Sequence, residues 1–296
     1  IMGHEWAGQI VALGEGVEDF KIGDRVAGEA HVGCGKCDNC KRGHYTVCLN
    51  YGHDGHDGGL DLGHRHYGFY WQGANAEYNV YKTSALHRIP DNVSYDVASM
   101  CDCAGVAFHG VQLAGVTPGG TSVVFGPGPI GLCAMQECKA LGSGRVIMIG
   151  RGKKLEKARE LGADVCIDFE KEDPVQRVLE LTGGVGADEV MECSGAADSP
   201  MKACKLVRKT GSVALIATYH DPDVLIPVNT VNFNEIRIVG SKANPNVSEE
   251  VLNFFSTGAI QGEKLITHTF PLEEYEKAVD IFEHKKENSI KVVIHP

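Results

Sequence analysis

The sequence predicts an α/β protein whose larger regular part is a parallel, doubly wound sheet. Three observations carry this reading. From residue 121 short apolar runs recur about every 20–25 residues, each followed by a helical pattern. The first of those runs ends in a Gly-rich turn that opens a helix. Before residue 120 the pattern differs: short strand-like runs alternate with Gly-rich loops, so a second, smaller and mostly-β part is expected there.

Taken in order, Gln9–Leu13, Asp24–Ala27 and Ala76–Tyr81 read as short strands. Tyr51–Tyr70 is rich in Gly, His and Asp without periodicity and reads as a long loop. The apolar runs of the sheet are Ser122–Phe125, Val146–Ile149, Val165–Asp168, Glu189–Glu192, Val213–Ala217 and Ile236–Gly240. Between them, Leu155, Ala158 and Leu161 share a helix face and Gly162 stops that helix. Asp173 is an N-cap with Pro174 at the first helical position, and Val175, Val178 and Leu179 face the core. Asp198, two residues before Pro200, starts the next helix. After about residue 244 the rhythm stops. Ser248 is expected to cap a helix carrying Val251, Leu252, Phe254 and Phe255; Leu272–Phe282 is an amphipathic helix and Ile290–Ile294 a final strand. This tail is expected to return to the first part, dividing the chain into 1–98, 99–244 and 245–296.

Composition excludes several function classes. Lys and Arg number 28 against 39 Asp and Glu, a net charge of −11, and such acidity opposes nucleic-acid or anionic-membrane partners. No apolar run reaches the roughly 18 residues of a membrane span. The partner expected is a small molecule. Four of the 11 cysteines fall within 34–48 and the others lie scattered among apolar neighbours. That is the usage of a cytoplasmic protein with a metal cluster and buried thiols, not of a secreted disulfide scaffold. The chain opens on Ile1 in a stretch that already reads as structured, which we take as a start inside a longer protein.

Ser122–Phe125 runs into Gly126-Pro127-Gly128-Pro129-Ile130-Gly131, and a helical stretch follows. This is G-x-G-x-x-G between a strand and a helix, where the glycines permit a tight turn and close approach of a pyrophosphate to a helix N-terminus. Gly126, Gly128, Ile130 and Gly131 are the expected dinucleotide contacts. The second strand decides which dinucleotide. An NAD site usually ends it with an acid for the ribose diol. Here it ends Ile149-Gly150-Arg151-Gly152-Lys153-Lys154. Gly150 brings no carboxylate, while Arg151 and Lys154 offer cations to a 2′-phosphate, so the reading is NAD(P) with a preference for NADP(H). The alternative is that these cations are a solvated loop.

Cys34-x2-Cys37-x2-Cys40-x7-Cys48 supplies four thiolates from one short segment, the donor set of a closed structural zinc site. A redox C-x-x-C would need a thioredoxin-like context that is absent. His4 and Glu5 are acceptable zinc ligands but carry little weight alone. Asp102 and Cys103, just before the sheet, are both zinc-competent, and Cys101 reads as a buried thiol. His109 is open between packing and function. The run His53-Asp54-Gly55-His56-Asp57 with His64-Arg65-His66 looks metal-binding by composition, but its spacing is loose and its glycines preorganise nothing, so it reads as a loop at the substrate mouth.

Taken together, Gly3-His4-Glu5-x-x-Gly8, Phe20-Lys21-x-Gly23-Asp24-Arg25-Val26, the four spaced cysteines, the Gly126–Gly131 turn and Glu192-Cys193-Ser194-Gly195 resemble the zinc-dependent medium-chain alcohol dehydrogenases, in that family's order and over essentially the whole chain. Gly28-Glu29-Ala30-His31 and Asp102-x-x-Gly105-x-Ala107-x-His109 are similar to its threonine and sorbitol (polyol) branch. The resemblance implies a GroES-like catalytic domain with a zinc lobe beside a Rossmann domain, and a homo-oligomer. It implies one catalytic and one structural zinc, with His4 and Glu5 as two ligands of the catalytic ion. The family's usual first ligand is a cysteine upstream of this point. In the alcohol branch a later cysteine is also a ligand, and Cys103 stands at that place. In the threonine and sorbitol branch an acid stands nearby, and Asp102 fills that role as an outer-sphere group; Asp102 is favoured, with Cys103 second.

The implied reaction is hydride transfer between a secondary alcohol, such as a polyol, cyclitol or amino alcohol like threonine, and NAD(P). Zinc lowers the pKa of the substrate hydroxyl, and a proton leaves through a relay that includes Asp102. Two alternatives share the fold: a zinc-free quinone or enoyl reductase, and a non-catalytic relative.

Overall fold

The computed structural model describes residues 1–51, 66–220 and 223–296. Contacts group the chain into two compact units, Ile1–Gly105 with Lys242–Pro296, and Val106–Ser241.

The first unit opens with β1 (Ala7–Gln9) and β2 (Arg25–Gly28), followed by a short α1 (Asp38–Lys41), β3 (Leu86–Arg88) and α2 (Tyr95–Ala98). The order β1-β2-β3 is an antiparallel sheet, with Gly8 opposite Val26 and Ala27 opposite His87. Next comes α3 (Cys101–Ala114), whose first residues belong to this unit.

The second unit alternates strand and helix: β4 (Thr121–Phe125), α4 (Pro129–Ala140), β5 (Arg145–Gly150), α5 (Lys153–Glu160), β6 (Val165–Asp168), α6 (Pro174–Leu181), β7 (Ala187–Glu192), α7 (Ser199–Leu206), β8 (Val207–Leu215), α8 (Val228–Phe233) and β9 (Arg237–Gly240). The strands lie in the order β6-β5-β4-β7-β8-β9, all parallel. This is the doubly wound order, in which a ligand crevice opens beyond the strand ends where the order reverses, here between β4 and β7. Val123, Ile147, Ile167, Val190 and Val213 form the sheet's inner layer and are wholly buried. Asp173 caps α6 as its sequence requires, its Oδ1 accepting from the N–H groups of Val175 (2.8 Å) and Gln176 (3.0 Å).

The chain then returns to the first unit with α9 (Ser248–Thr257), β10 (Ile266–Pro271), α10 (Tyr275–Glu283) and β11 (Lys291–His295). β10 and β11 pair in parallel, Thr269 opposite Val293, and α10 makes the crossover with Ala278 and Ile281 buried.

Three expectations change. Ala76–Tyr81 forms no strand; Tyr78 and Val80, the apolar side of its alternation, are exposed, so no face is there to be buried. The first strand is Ala7–Gln9 and not Gln9–Leu13, and Val11 and Leu13 are exposed. Ser248 does not cap α9: its hydroxyl is turned to the Glu29 carboxylate instead. Of the long loop, residues 52–65 lie outside the described residues, including His53, His56 and His64. No helix among the described residues is long and apolar enough to cross a membrane.

Candidate metal and cofactor sites

The segment 34–48 folds around its own sulfurs. One ligand atom from each of Cys34, Cys37, Cys40 and Cys48 lies within 4.8 Å of the others. Cys34–Cys40 and Cys37–Cys48 are both 3.9 Å apart, sulfur to sulfur. Four Zn–S bonds of about 2.3 Å in a tetrahedron give edges of about 3.8 Å, so this set fits a four-thiolate ion. Backbone N–H groups of Lys36 and Cys37 point at Cys34 Sγ from 3.4 and 3.3 Å. Led by Lys36, these donors bring the Cys34 thiol down to about 6 and so favour the thiolate a metal needs, whereas burial pushes Cys40 up to about 12.

A second cluster forms where the Gly3-His4-Glu5 segment meets the start of α3. His4, Glu5 and Asp102 each offer an atom within 4.8 Å of the others. His4 Nε2 stands 3.6 Å from Asp102 Oδ2. Burial lowers the pKa of His4, keeping its imidazole neutral as a metal ligand must be. Asp102 is buried and its Oδ1 has no hydrogen-bond partner. Burial pushes its carboxyl up to about 8, and the charges of Glu5 and Glu29 add to this. An orphaned carboxylate oxygen beside a neutral imidazole and a second carboxylate is a donor set that suits a divalent cation. Burial opposes ionisation of Glu5 too, but Lys291 and His4 outweigh it and hold that carboxyl below its ordinary range. Cys103 is buried in α3 and is not among the residues whose ligand atoms meet here.

Lys291, Phe69 and Glu29, around this cluster, were not singled out as site residues by sequence reasoning. Lys291, 7% exposed, pairs with Glu5 Oε2. In the sequence it is a lone lysine entering a strand, the pattern of a solvated edge. The Phe69 ring packs tilted against the rings of His4 (centroids 4.7 Å apart) and His66 (4.1 Å), and the His66 ring lies 4.0 Å from that of His31. Glu29, buried, accepts from the Tyr45 hydroxyl (2.6 Å) and the Ser248 hydroxyl and pairs with His87 Nε2 at 2.9 Å. The threonine-type motif contained Glu29 but gave it no role.

The dinucleotide turn lies between β4 and α4. α4 starts at Pro129 with Gly128 as N-cap, which has no side chain to cap the first N–H groups, an arrangement that suits an anion. Gly131 is required by packing: a Cβ there would overlap the carbonyl oxygen of Gly126. Space above Gly128 is open, with nothing within 4 Å of where its Cβ would be. Glu192 supports the adjoining turn, accepting from Ser194 N at 2.8 Å and from the Tyr219 hydroxyl. Ile130 sits in the first turn of α4. Gly150 ends β5, and Arg151 is exposed and paired with Glu170 at 2.8 Å. Lys154 lies in the first turn of α5, whose N-cap, Gly152, also makes no side-chain cap.

Two family descriptions match the chain: an alcohol dehydrogenase GroES-like domain over residues 1–91, and a zinc-binding dehydrogenase over residues 129–257. A sorbitol dehydrogenase of Halalkalibacterium halodurans is 35% identical over 300 residues, covering 100% of this chain and 83% of that protein. An L-threonine 3-dehydrogenase of Bacillus licheniformis is 33% identical over 299 residues, covering 100% and 82%. A Sinorhizobium meliloti structure bound to NADP superposes with a TM-score of 0.88 at 27% identity, covering 100% of this chain and 83% of that one.

Proposed function

The chain belongs to the zinc-dependent medium-chain alcohol dehydrogenases, oxidoreductases of the polyol and threonine branch, and from that premise we propose a specific assignment of its residues. Segments 1–98 and 245–296 hold two zinc ions, and 99–244 binds the dinucleotide. Cys34, Cys37, Cys40 and Cys48 hold the structural ion. His4 and Glu5 are ligands of the catalytic ion and Asp102 stands at its edge, with Cys103 the second candidate for that place. The observation that carries this is the meeting of His4, Glu5 and Asp102 within 4.8 Å, from segments far apart in sequence.

The substrate is a secondary alcohol: a polyol, a cyclitol or an amino alcohol such as threonine. When bound, zinc would supply the Lewis acidity that lowers the pKa of the substrate hydroxyl, and NAD(P) would take the hydride. The chain's own residues do the rest. His4 stays neutral and leaves a ring nitrogen free for the ion. Asp102 takes up the proton that the hydroxyl gives off and passes it on. Gly126, Gly128, Ile130 and Gly131 present backbone to the pyrophosphate. The cofactor favoured is NADP(H): Gly150 brings no acid to the ribose, and Arg151 and Lys154 flank an uncapped helix start. Arg151 is paired with Glu170 and lies over the Phe169 ring, and an exposed ion pair of this kind is worth about 0–1 kcal/mol, little against a phosphate. The protein works in the cytoplasm, a reading supported by cysteines none of which is joined in a disulfide, and as a homo-oligomer, as the family resemblance implies.

Metal analysis tests the assignment. Two zinc ions per chain are expected, falling to one in His4→Ala and Glu5→Ala with loss of turnover. Both variants keeping full turnover or full zinc would refute it.

A further inference from the structure

Lys291 is the first residue of β11, and its backbone is fixed. It stands opposite Ile266 in the β10–β11 register, and its carbonyl accepts the Thr267 hydroxyl at 3.0 Å. The side chain runs inward and is only 9% exposed. Burying an ammonium is costly unless it is paired, and this one is paired with Oε2 of Glu5. Among the described residues, Lys291 Nζ is thus paired with a carboxylate of the His4–Glu5–Asp102 cluster, and nothing in the alcohol chemistry described above uses it.

A carboxylate ligand has two oxygens, and a metal can take one or both. We propose that Lys291 is a positioning residue for the metal site: its ammonium holds Oε2 of Glu5, leaves Oε1 as the oxygen available to the ion, and so keeps Glu5 a one-oxygen ligand. The inference rests on the reading of His4 and Glu5 as metal ligands. Its physical content is preorganisation: the ammonium fixes the plane of the carboxylate before the ion arrives, so less side-chain freedom is lost on binding. Hydrogen bonds of this kind to metal ligands commonly sustain 10–100-fold in metal affinity.

Cobalt(II) titration of the full chain, with zinc retained in the cysteine lobe, tests this. The d–d absorption of cobalt reports its coordination number. In Lys291→Met the bands are expected to weaken, as Glu5 swings to offer both oxygens, and cobalt affinity to fall at least tenfold. Lys291→Arg, which keeps the charge and the donors, should restore both. Should Lys291→Met fail to fold, judged by zinc in the lobe and circular dichroism, Lys291→Gln is measured with the same expected loss. An unchanged spectrum and affinity in the charge-free variant overturns the inference, and so does a gain in affinity, which would make the ammonium a mere competitor for Glu5. Glu5→Gln separates the two levels of the argument. If it leaves cobalt binding intact, Glu5 is no ligand and both readings fall; if it abolishes binding while Lys291→Met does not alter it, only the role of Lys291 is lost.

Discussion

The ring of Pro127 fills the space in which any side chain on Gly150 would begin. An acid at residue 150 is therefore excluded by packing, and discrimination at the ribose passes to the residues that follow. Arg151→Ala is expected to weaken NADPH binding roughly tenfold, the value of one lost charge-assisted hydrogen bond, and to change NADH binding little. Fluorescence titration with both reduced cofactors checks this; equal losses for the two would count against a phosphate contact.

Gly131→Ala places a methyl group on the Gly126 carbonyl oxygen. Overpacking of this kind costs about 1–3 kcal/mol, and relief of the clash pushes α4 away from β4. A lower thermal midpoint together with weaker binding of both cofactors is expected. Thermal denaturation with and without cofactor separates the two effects.

Removing Cys34 or Cys48 should release one zinc ion per chain and leave the other. Cys34→Ser is expected to retain His4-site metal but to render the segment around 34–48 sensitive to proteases, since its fold is built around sulfur and carries almost no apolar core of its own. Metal analysis and limited proteolysis read both outcomes.

Tyr45→Phe takes from Glu29 a donor at 2.6 Å and leaves a buried carboxylate less satisfied. A loss of about 1–3 kcal/mol is expected in urea denaturation. Glu29→Gln should cost less than Glu29→Ala, because the amide keeps an oxygen to accept from Ser248.

Asp164 gives the pH dependence a defined sign. Burial opposes its ionisation, but the Val146 N–H at 2.7 Å and the Lys139 ammonium at 2.9 Å outweigh it and hold its carboxyl below the ordinary range. A carboxyl lowered in the folded state adds stability above its unfolded pKa of about 3.9, and that stability is lost as pH falls through the folded value. The group is partly exposed, so the contribution is under about 1 kcal/mol. Asp164→Asn should flatten this part of the acid limb in stability curves taken between pH 6 and 3; an unchanged limb would remove Asp164 from the account.

How far the sequence could be read depended on the range of the physics involved. The sheet half was legible almost element by element, because Val123, Ile147 and Val190 lie on strands buried on both faces and their apolar runs need no knowledge of partners. The cysteine lobe was legible for the same reason: its four ligands are local. Ala76–Tyr81 misled because alternation signals a strand only where a face exists to be buried. Ser248 misled because a distant carboxylate, Glu29, outcompeted the helix start for its hydroxyl. Lys291 was invisible since 286 residues separate it from Glu5, and a single lysine announces no partner.

The cysteine lobe is also stitched to the far end of the chain. Asn246 donates its backbone N–H to the Tyr45 hydroxyl at 3.0 Å and its side-chain amide to the Gly43 carbonyl at 2.9 Å, while Ser248 reaches Glu29. These links span 201, 203 and 219 residues. On a ribosome the lobe's sulfurs emerge early, but the residues that clamp it are made only after the entire sheet half. The four sulfurs of the lobe are therefore synthesised well before the residues that clamp it.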